Sequence, residues 1–209
     1  MSNTLQEEAP RNTSHKHRCI FIHIPKAAGT SIKHALDMPG RGHLAWAYYS
    51  LCYPQLWQQY TSFTVVRNPW DRAVSIYHWA KVQDSYWFKG QLVPIDYELL
   101  ASKSFEECLT ILDGQRERLK SEAWHRQTVW VAGPKSLGGK VMVDRVLRFE
   151  NLDHDFPKFC EDLGIEQRSL PKMNPSNRSR DYRQYYNDAT RKLVERIYEP
   201  DIETFGYSF

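Results

Sequence analysis

The segment Cys19–Asp37, with the sequence CIFIHIPKAAGTSIKHALD, constrains the fold more than any other part of the chain. Its first residues, Cys19–Ile24, are nearly all apolar, which is typical of a strand buried on both faces of a parallel sheet. Pro25 ends this strand because proline has no N–H to donate to a neighbouring strand. Apolar residues then recur at helical spacing, at Ile32, Ala35 and Leu36, and predict a helix that begins near Thr30 or Ser31. The segment therefore predicts a strand, a tight loop and a helix.

The loop between this strand and helix, Pro25–Ser31, favours the binding of an anion. Its small side chains allow a ligand to approach the backbone, and the free N–H groups at the start of a helix attract negative charge. Lys26 adds a positive charge, and the hydroxyl groups of Thr30 and Ser31 add hydrogen-bond donors. The sequence therefore predicts a cradle for a phosphate or sulfate group. The alternative is an ordinary turn that carries a surface lysine.

The loop differs from the phosphate-binding loop of nucleotide hydrolases, GxxxxGK[ST]. There the lysine directly follows the second glycine, whereas here Lys26 comes three residues before Gly29 and the first glycine is missing. An enzyme that depends on Mg²⁺ would also need an acidic residue at the end of a strand. The candidate, Asp144, lies within the third predicted strand rather than after it. A P-loop-like small-molecule kinase is therefore kept only as an alternative.

A second strand and loop follow at Phe63–Val66 and Arg67. Asn68 is a favourable residue for the N-cap of a helix, and Pro69 suits the first helical position. Asp71 falls in the first turn, where an acidic side chain stabilises the positive end of the helix dipole. The chain therefore contains two successive units of a strand, an anion-binding loop and a helix.

Strands and helices continue to alternate along the chain, with a third strand expected at 141–149. This order predicts a three-layer, P-loop-like α/β fold with a central parallel sheet flanked by helices. Ligands of such sheets bind at the carboxyl ends of the strands. Residues 1–18 are polar and aperiodic, so we expect a loose tail there and a single domain at 19–209.

Charge and composition exclude several classes of protein. A net charge of +3 over 209 residues is too small to indicate a nucleic-acid-binding protein. The four cysteines are far apart and form no CxxC motif, so we expect free thiols rather than disulfides or zinc ligands. The sequence has no apolar run long enough for a transmembrane helix and no apolar signal core. We therefore expect a soluble, cytoplasmic protein.

The two motifs together, PKAAGTS and VVRNPWDRAVSIY, resemble those of the sulfotransferases that use 3′-phosphoadenosine 5′-phosphosulfate (PAPS). Within these enzymes the chain looks most like the carbohydrate 2-O-sulfotransferase type and its soluble bacterial relatives. The resemblance runs from about residue 19 to the end, through RFENL, NPSNRSRDYRQYY and the closing DIETFGYSF. It implies that the first motif binds the 5′-phosphosulfate and the second binds the 3′-phosphate.

The resemblance also assigns roles to residues of the two motifs. Lys26 would contact the sulfuryl group and the leaving oxygen, where negative charge develops in the transition state. Arg67 would make a forked contact with the 3′-phosphate. Ser75 is assigned to the same phosphate from the resemblance alone, and its alternative is a small residue at a helix contact. Arg72 is expected to be a solvated charge or an ion-pair partner of Asp71. The remaining contacts with the co-substrate would come from the first loop, from Ala28, Gly29, Thr30 and Ser31.

His43 would be the general base, because histidine exchanges protons near neutral pH and the stretch GHLAWAYYSL matches the pattern around the catalytic histidine of the family. His23, at the end of the first strand, is the rival base, and a purely structural role for His43 is the other alternative. In relatives, the late basic segment that contains Arg178 closes over the nucleotide. Here that segment also contains Asn174, Ser176 and Arg180, and it could equally be a solvated loop.

These assignments predict a sulfotransferase that moves a sulfuryl group from PAPS to a hydroxyl group of a carbohydrate or glycolipid, leaving 3′-phosphoadenosine 5′-phosphate (PAP). Transfer would need no metal, because Lys26, Arg67 and the helix N-termini supply positive charge. A nucleotide-binding module without catalysis is the alternative outside enzymes. The presence of Lys26, Arg67, Ser75 and His43 in one chain counts against it.

Overall fold

The apolar run that begins at Cys19 forms an inner strand of a sheet. A computed structural model of the protein describes residues 10–40, 42–81, 96–134, 138–166, 170–171, 179 and 181–209. Its strands are β1 (Thr13–Ser14), β2 (Cys19–Ile22), β3 (Thr61–Val66) and β4 (Arg145–Arg148), and they lie in the order β1-β2-β3-β4. β2 and β3 are parallel, whereas β1 pairs with β2 in the antiparallel sense.

Helices follow the strands and fill the segments between them. They are α1 (Gly29–Ala35), α2 (Trp46–Cys52), α3 (Pro54–Gln59), α4 (Pro69–Ala80), α5 (Tyr97–Leu100), α6 (Phe105–Gly114), α7 (Thr128–Val131), α8 (Leu152–Asp162), α9 (Asp188–Ile197) and α10 (Glu199–Phe205). Short 3₁₀ turns lie at Arg116–Arg118, Glu122–Trp124, Phe149–Asn151 and Tyr182–Tyr185. The expected α/β architecture, a mostly parallel central sheet flanked by helices, is confirmed.

The chain divides into two compact units. The first takes in the described residues of Met1–Ile24, Ala28–Val65 and Trp130–Met173, and the second those of Pro25–Ala27, Val66–Val129 and Asn174–Phe209. Because the boundary falls inside the loop after β2, that loop contributes residues to both units. The single domain expected at 19–209 stays a prediction.

The first unit contains the sheet, and its core lies between the strands and two helices. Every residue of β2 is fully buried, as expected for a strand covered on both faces. Phe63 of β3 packs on Phe159 of α8, with 4.3 Å between the ring centroids. On α1, the expected apolar residues Ile32, Ala35 and Leu36 are all buried. This packing fixes the direction in which the chain leaves β2.

The second unit is helical and has its own apolar core. Side chains of α4, α6, α9 and neighbouring segments meet there, among them Trp70, Val74, Cys108, Leu112, Trp124, Val194 and Tyr198. The start of α4 confirms the expected cap, since the side chain of Asn68 accepts a hydrogen bond of 3.0 Å from the backbone N–H of Trp70. Pro69 occupies the first helical position. Arg67 directly precedes this cap.

Residues 10–18 are not a loose tail, so this part of the sequence interpretation is wrong. Thr13 pairs with Ile20 across β1 and β2, and both Asn12 and Thr13 are fully buried. The hydroxyl group of Tyr49 donates a hydrogen bond of 2.7 Å to the backbone carbonyl of Arg11. Its polar residues differ in exposure, since Asn12, Thr13 and Ser14 are buried whereas Arg11, His15, Lys16 and Arg18 are exposed. Residues 1–9 lie outside the described part.

The strand expected at 141–149 is also shorter than predicted. Val141 forms an isolated bridge with Ala132, and β4 begins only at Arg145.

Among the described residues, the expectation of free thiols is confirmed. Cys19, Cys108 and Cys160 are buried, and Cys52 is exposed. No helix in the described ranges is long and apolar enough to cross a membrane.

Candidate functional site

The loop after β2 turns sharply at two residues other than glycine. Lys26 and Ala28 both have positive φ angles, of 66° and 59°. This left-handed conformation costs roughly 1 kcal/mol or more for each such residue and persists only where the surroundings impose it. Helix α1 begins directly afterwards at Gly29, and its N-cap residue, Ala28, has no side chain that can accept a hydrogen bond. The first turn of α1 thus lacks the usual side-chain cap.

In the first unit, the ring of His23 lies directly against Gly29. A Cβ atom placed on Gly29 would be only 1.7 Å from Nε2 of His23, so no other residue fits at position 29 without moving that ring. Glycine is needed here for close approach rather than for an unusual φ angle. The end of β2 and the start of α1 are therefore in direct contact through one histidine side chain.

His43 lies beside His23, and we call these two residues the histidine pair. Their ring centroids are 4.2 Å apart with the planes tilted by 46°, and the ring of Trp130 is 5.9 Å from that of His43. Nδ1 of His43 is 2.8 Å from the backbone carbonyl oxygen of His23. Because a carbonyl can only accept, Nδ1 must carry the hydrogen, which leaves Nε2 of the neutral ring as the proton acceptor.

The surroundings of His23 disfavour its charged form. Burial lowers the pKa of His23 well below its ordinary value of 6.5, and the neighbouring His43 and Lys33 act in the same direction. The backbone carbonyl of Gly42 opposes this shift without cancelling it. Nδ1 of His23 is buried and has no hydrogen-bond partner among the described residues. His23 is consequently a neutral ring at physiological pH, and the two candidate bases are neighbours.

In the second unit, Lys26 is held through its backbone. Its carbonyl accepts a hydrogen bond of 3.0 Å from Nη1 of Arg67. Its ammonium group lies 5.5 Å from the centroid of the Trp79 ring, which is within the range of a cation–π interaction. Lys26 is half-buried. Its charged end therefore rests on an aromatic surface while its main chain is fixed by an arginine.

Arg67 is buried and makes several contacts in addition to the one with Lys26. Its Nε donates a hydrogen bond of 2.7 Å to Oδ2 of Asp71, and Nη2 is also 2.7 Å from that oxygen. The backbone N–H and carbonyl of Arg67 are both bonded to the side-chain amide of Gln127, each at 2.8 Å. Asp71 thus orients the guanidinium group. The amide of Gln127 pairs with the backbone N–H and carbonyl of Arg67, as a neighbouring strand would. The contact of Arg67 with a 3′-phosphate stays a prediction.

Arg72 is not a solvated charge, so that interpretation is wrong. It is only 1% exposed, and its guanidinium donates to three backbone carbonyls: to Pro25 at 3.0 Å, to His125 at 3.0 Å and to Ala123 at 2.8 Å. Burial lowers the pKa of Arg72, and nearby Tyr198 and Asp201 oppose this shift. We call Arg67 and Arg72 the arginine cluster. The apolar neighbours of Arg72 along α4, Trp70, Ala73, Val74 and Ile76, are the sequence signal that it is buried.

The sequence interpretation missed two residues that support this cluster. Asp201 accepts hydrogen bonds from the backbone N–H groups of Gln127 at 2.7 Å and Thr128 at 2.9 Å, and from the Thr128 hydroxyl at 3.0 Å. Burial raises the pKa of Asp201, while the two N–H groups and Arg72 oppose the shift. Gln127 and Asp201 are 74 residues apart in the chain. No local pattern in the sequence could reveal this pairing.

The remaining predicted site residues are distributed as follows. Ser75 is buried on α4, two turns beyond Asn68. Thr30 and Ser31 lie in the first turn of α1, where Thr30 is exposed and Ser31 is half-buried. Arg178 lies outside the described residues, as do its neighbours Asn174, Ser176 and Arg180.

Asp144, the candidate magnesium ligand of the kinase alternative, is bonded to the start of β3. Its Oδ2 accepts hydrogen bonds from the backbone N–H of Ser62 at 2.8 Å and from the Ser62 hydroxyl at 2.6 Å. Within the described ranges, no group of three or more histidine, cysteine or acidic side chains could hold a metal ion.

Comparison with known proteins points to one group of enzymes. A family model described as "Sulfotransferase family" matches residues 43–208. Mouse sulfotransferase SULT7A1, complexed with PAP, has a similar structure at 13% identity, with a TM-score of 0.54 over 91% of this chain and 86% of that one. A sulfotransferase from Alicyclobacillus acidocaldarius aligns at 16% identity over 94% of both chains, with a TM-score of only 0.41. No curated protein sequence matched the chain. The likeness to the mouse enzyme shows the fold alone, and the family match covers His43, Arg67 and Ser75.

Proposed function

This chain belongs to the sulfotransferase family, and on that premise we propose that it transfers a sulfuryl group from PAPS to a hydroxyl group of a carbohydrate or glycolipid. The donor supplies the sulfuryl group, and PAP is the product that remains. The protein must bind this anionic donor, take a proton from the acceptor hydroxyl and stabilise charge on the leaving oxygen. Each of these tasks can be given to residues that have been described above.

The observation that carries the proposal is the hydrogen bond from Nδ1 of His43 to the carbonyl of His23. It fixes the tautomer of the neutral ring, so that Nε2 can accept the proton of the hydroxyl group as that group attacks sulfur. His43 is also the first residue that the family model matches. A general base of this kind supplies a rate factor of about 10²–10⁴.

Lys26 supports transfer through its charge. As the bond to sulfur breaks, negative charge develops on the oxygen that remains with PAP, and a fixed cation there stabilises the transition state more than the ground state. The left-handed turn at Lys26 and the arginine contact to its carbonyl favour one position of this side chain. Ala28, Gly29, Thr30 and Ser31 would hold the phosphosulfate with backbone N–H groups and hydroxyl groups. The start of α1, which lacks a side-chain cap, fits this assignment.

Arg67 and Ser75 would bind the 3′-phosphate. The carboxylate of Asp71 orients the guanidinium of Arg67, and an oriented, buried guanidinium suits a phosphate. Ser75 and Arg178 are assigned to the donor from the resemblance of the sequence motifs. No metal is required in this scheme, since side-chain cations carry the charge.

The first experiment measures which nucleotide stabilises the protein. PAP should raise the melting temperature, and adenosine 5′-phosphosulfate should do so much less than PAPS, because it lacks the group that Arg67 would bind. Equal stabilisation by the two sulfated nucleotides would contradict the assignment. A larger effect of ATP with Mg²⁺ would favour the kinase alternative.

The second experiment identifies the acceptor. The protein is incubated with PAPS labelled in its sulfate and with panels of oligosaccharides, glycolipids, phenols and alcohols, and the label in each product is counted. The proposal expects transfer to sugars that depends on His43. Transfer confined to phenols or simple alcohols would leave a sulfotransferase but overturn the carbohydrate assignment.

A further inference from the structure

We propose that Arg72 is a positioning residue that fixes the conformation of Lys26 by holding the backbone carbonyl of Pro25. The catalytic consequence rests on the role proposed above for Lys26. Arg72 itself is 1% exposed and donates three hydrogen bonds to main-chain carbonyls. It therefore acts on the reaction through the loop and not by touching the donor.

The geometry of Arg72 joins two separate segments of backbone. One guanidinium donates to Pro25 in the loop after β2 and to Ala123 and His125 around the 3₁₀ turn Glu122–Trp124. Arginine is suited to this task because its donors are arranged in a rigid plane, whereas lysine offers a single flexible ammonium group. Without Arg72, the buried carbonyls of Pro25 and Ala123 would lose these donors, and an unpaired buried carbonyl is costly. The guanidinium therefore anchors the loop to the interior of the second unit.

The second arginine of the cluster holds the next carbonyl along the loop. Arg72 bonds the carbonyl of Pro25, and Arg67 bonds that of Lys26, each at 3.0 Å. The two bonded carbonyls lie on either side of the Cα atom of Lys26, whose φ angle is 66°. A left-handed lysine is held only if its neighbours determine the backbone on both sides. The two arginine contacts supply that constraint.

The attachment of Arg67 does not depend on Arg72. Asp71 holds the guanidinium of Arg67, and Gln127 holds its backbone. Replacing Arg72 should therefore release the Pro25 side of the loop while the residue assigned to the 3′-phosphate stays in place. This separation gives the inference a specific signature: Lys26 is misplaced, but nucleotide binding is largely kept.

The kinetic test is a double-mutant cycle between Arg72→Lys and Lys26→Ala. Arg72→Lys alone should lower kcat by about 10–100-fold, since a displacement of about 1 Å in a reacting group can have an effect of this size. The affinity for PAP, measured by calorimetry, should change by less than about threefold. In the Lys26→Ala background, Arg72→Lys should produce no further loss of kcat. Losses that multiply would show that Arg72 acts independently of Lys26 and would overturn the inference.

The matched control is Arg126→Lys. The Nε of Arg126 also donates to a backbone carbonyl, that of Ile197 at 2.7 Å, but Arg126 is exposed and this bond does not involve the loop. This variant should keep the kcat of the unmodified protein. A loss equal to that of Arg72→Lys would mean that any broken arginine–carbonyl contact slows the reaction, and the inference would fail.

A second readout needs no activity. The protease Lys-C cleaves after lysine, and in the free protein its rate at Lys26 reports how often the loop opens. Cleavage at Lys192, within α9, reports general unfolding of the second unit. Arg72→Lys should raise the ratio of cleavage at Lys26 to cleavage at Lys192, whereas Arg126→Lys should leave it unchanged. An unchanged ratio in Arg72→Lys overturns the inference.

This ratio also keeps the two proposals distinguishable. If cleavage at Lys26 rises in Arg72→Lys but the unmodified protein transfers no sulfuryl group, the positioning of Lys26 stands and the proposed function falls. Should Arg72→Lys not fold, Arg72→Gln takes its place, since its amide is smaller and can reach one of the carbonyls. The same increase in the cleavage ratio is then expected.

Discussion

The histidine pair and the arginine cluster both consist of partly or fully buried polar side chains, but they are bonded in opposite ways. The ring of His23 has a buried nitrogen without a partner among the described residues, and the pKa of that ring is lowered. Arg72 remains a cation with three carbonyl acceptors, and Arg67 is fixed by both its side chain and its backbone. A neutral ring can accept a proton, whereas a guanidinium bonded to several acceptors holds geometry. The difference separates groups suited to proton transfer from groups suited to positioning.

The largest expected effect tests the histidine pair. His43→Ala should lower kcat by about 10²–10⁴-fold, with the fold and the affinity for PAP unchanged, because only proton transfer is lost. The rate of the unmodified protein should rise with pH as a histidine loses its proton, and the variant should lose this limb. Initial rates across pH and calorimetry with PAP measure both quantities.

The control for this prediction is His34→Ala, an exposed histidine on α1. It should have the rate and pH profile of the unmodified protein. If His43→Ala remained active while His23→Ala folded but lost activity, His23 rather than His43 would be the base.

The next prediction contrasts Lys26 in the loop with Arg67, which holds its carbonyl. Lys26→Ala should lower kcat by about 10²–10³-fold and weaken PAP binding far less, because the charge that it stabilises develops only in the transition state. Arg67→Ala should mainly weaken the binding of PAP. Rates and calorimetry on both variants test this contrast, and a Lys26→Ala protein that lost only affinity would refute the catalytic role of Lys26.

A smaller effect, on stability, tests whether the hydrogen bonds of Asp201 support the arginine cluster. Asp201→Asn should lower the free energy of unfolding by about 2–3 kcal/mol, since the variant loses charge-assisted hydrogen bonds from Gln127 and Thr128. Denaturation in urea measures the loss. Asp113→Asn, which breaks an exposed contact with Arg196, should have little effect. Equal losses in the two variants would show that the Asp201 network is no more important than a surface pair.

The smallest effect is the dependence of stability on pH that His23 contributes. In the unfolded chain His23 binds a proton below its ordinary pKa of 6.5, whereas in the folded protein its pKa is well below this value. The unfolded state therefore binds more protons, and the folded state loses up to about 1.4 kcal/mol for each pH unit below about 6.5. His23→Gln should remove this part of the slope. Identical slopes for the two proteins in urea denaturation from pH 7.5 to 5 would contradict a buried neutral ring.

Local patterns were sufficient to predict much of the fold. The strand at β2, the cap at Asn68 and the helical face of α1 depend on neighbours within a few residues, and each is confirmed. The histidine pair could be proposed only as two rival bases, because residues 20 apart meet through tertiary structure. Arg72 was misjudged since charged side chains are seldom buried, and only its contacts with distant carbonyls reveal its role. The supporting bonds between Gln127 and Asp201 could not be predicted either, because these residues are 74 positions apart in the chain.

The contact between His23 and Gly29 also has an evolutionary consequence. Since a Cβ atom at position 29 would overlap the ring at position 23, a larger residue at position 29 is tolerated only if the ring at position 23 moves or is replaced. In an alignment of related sequences, positions 23 and 29 should covary: a histidine at the first should coincide with glycine at the second. A relative with alanine or serine at position 29 should carry a residue that leaves this space free at position 23. Frequent pairing of histidine with alanine would show that lineages have found another way to accommodate the ring.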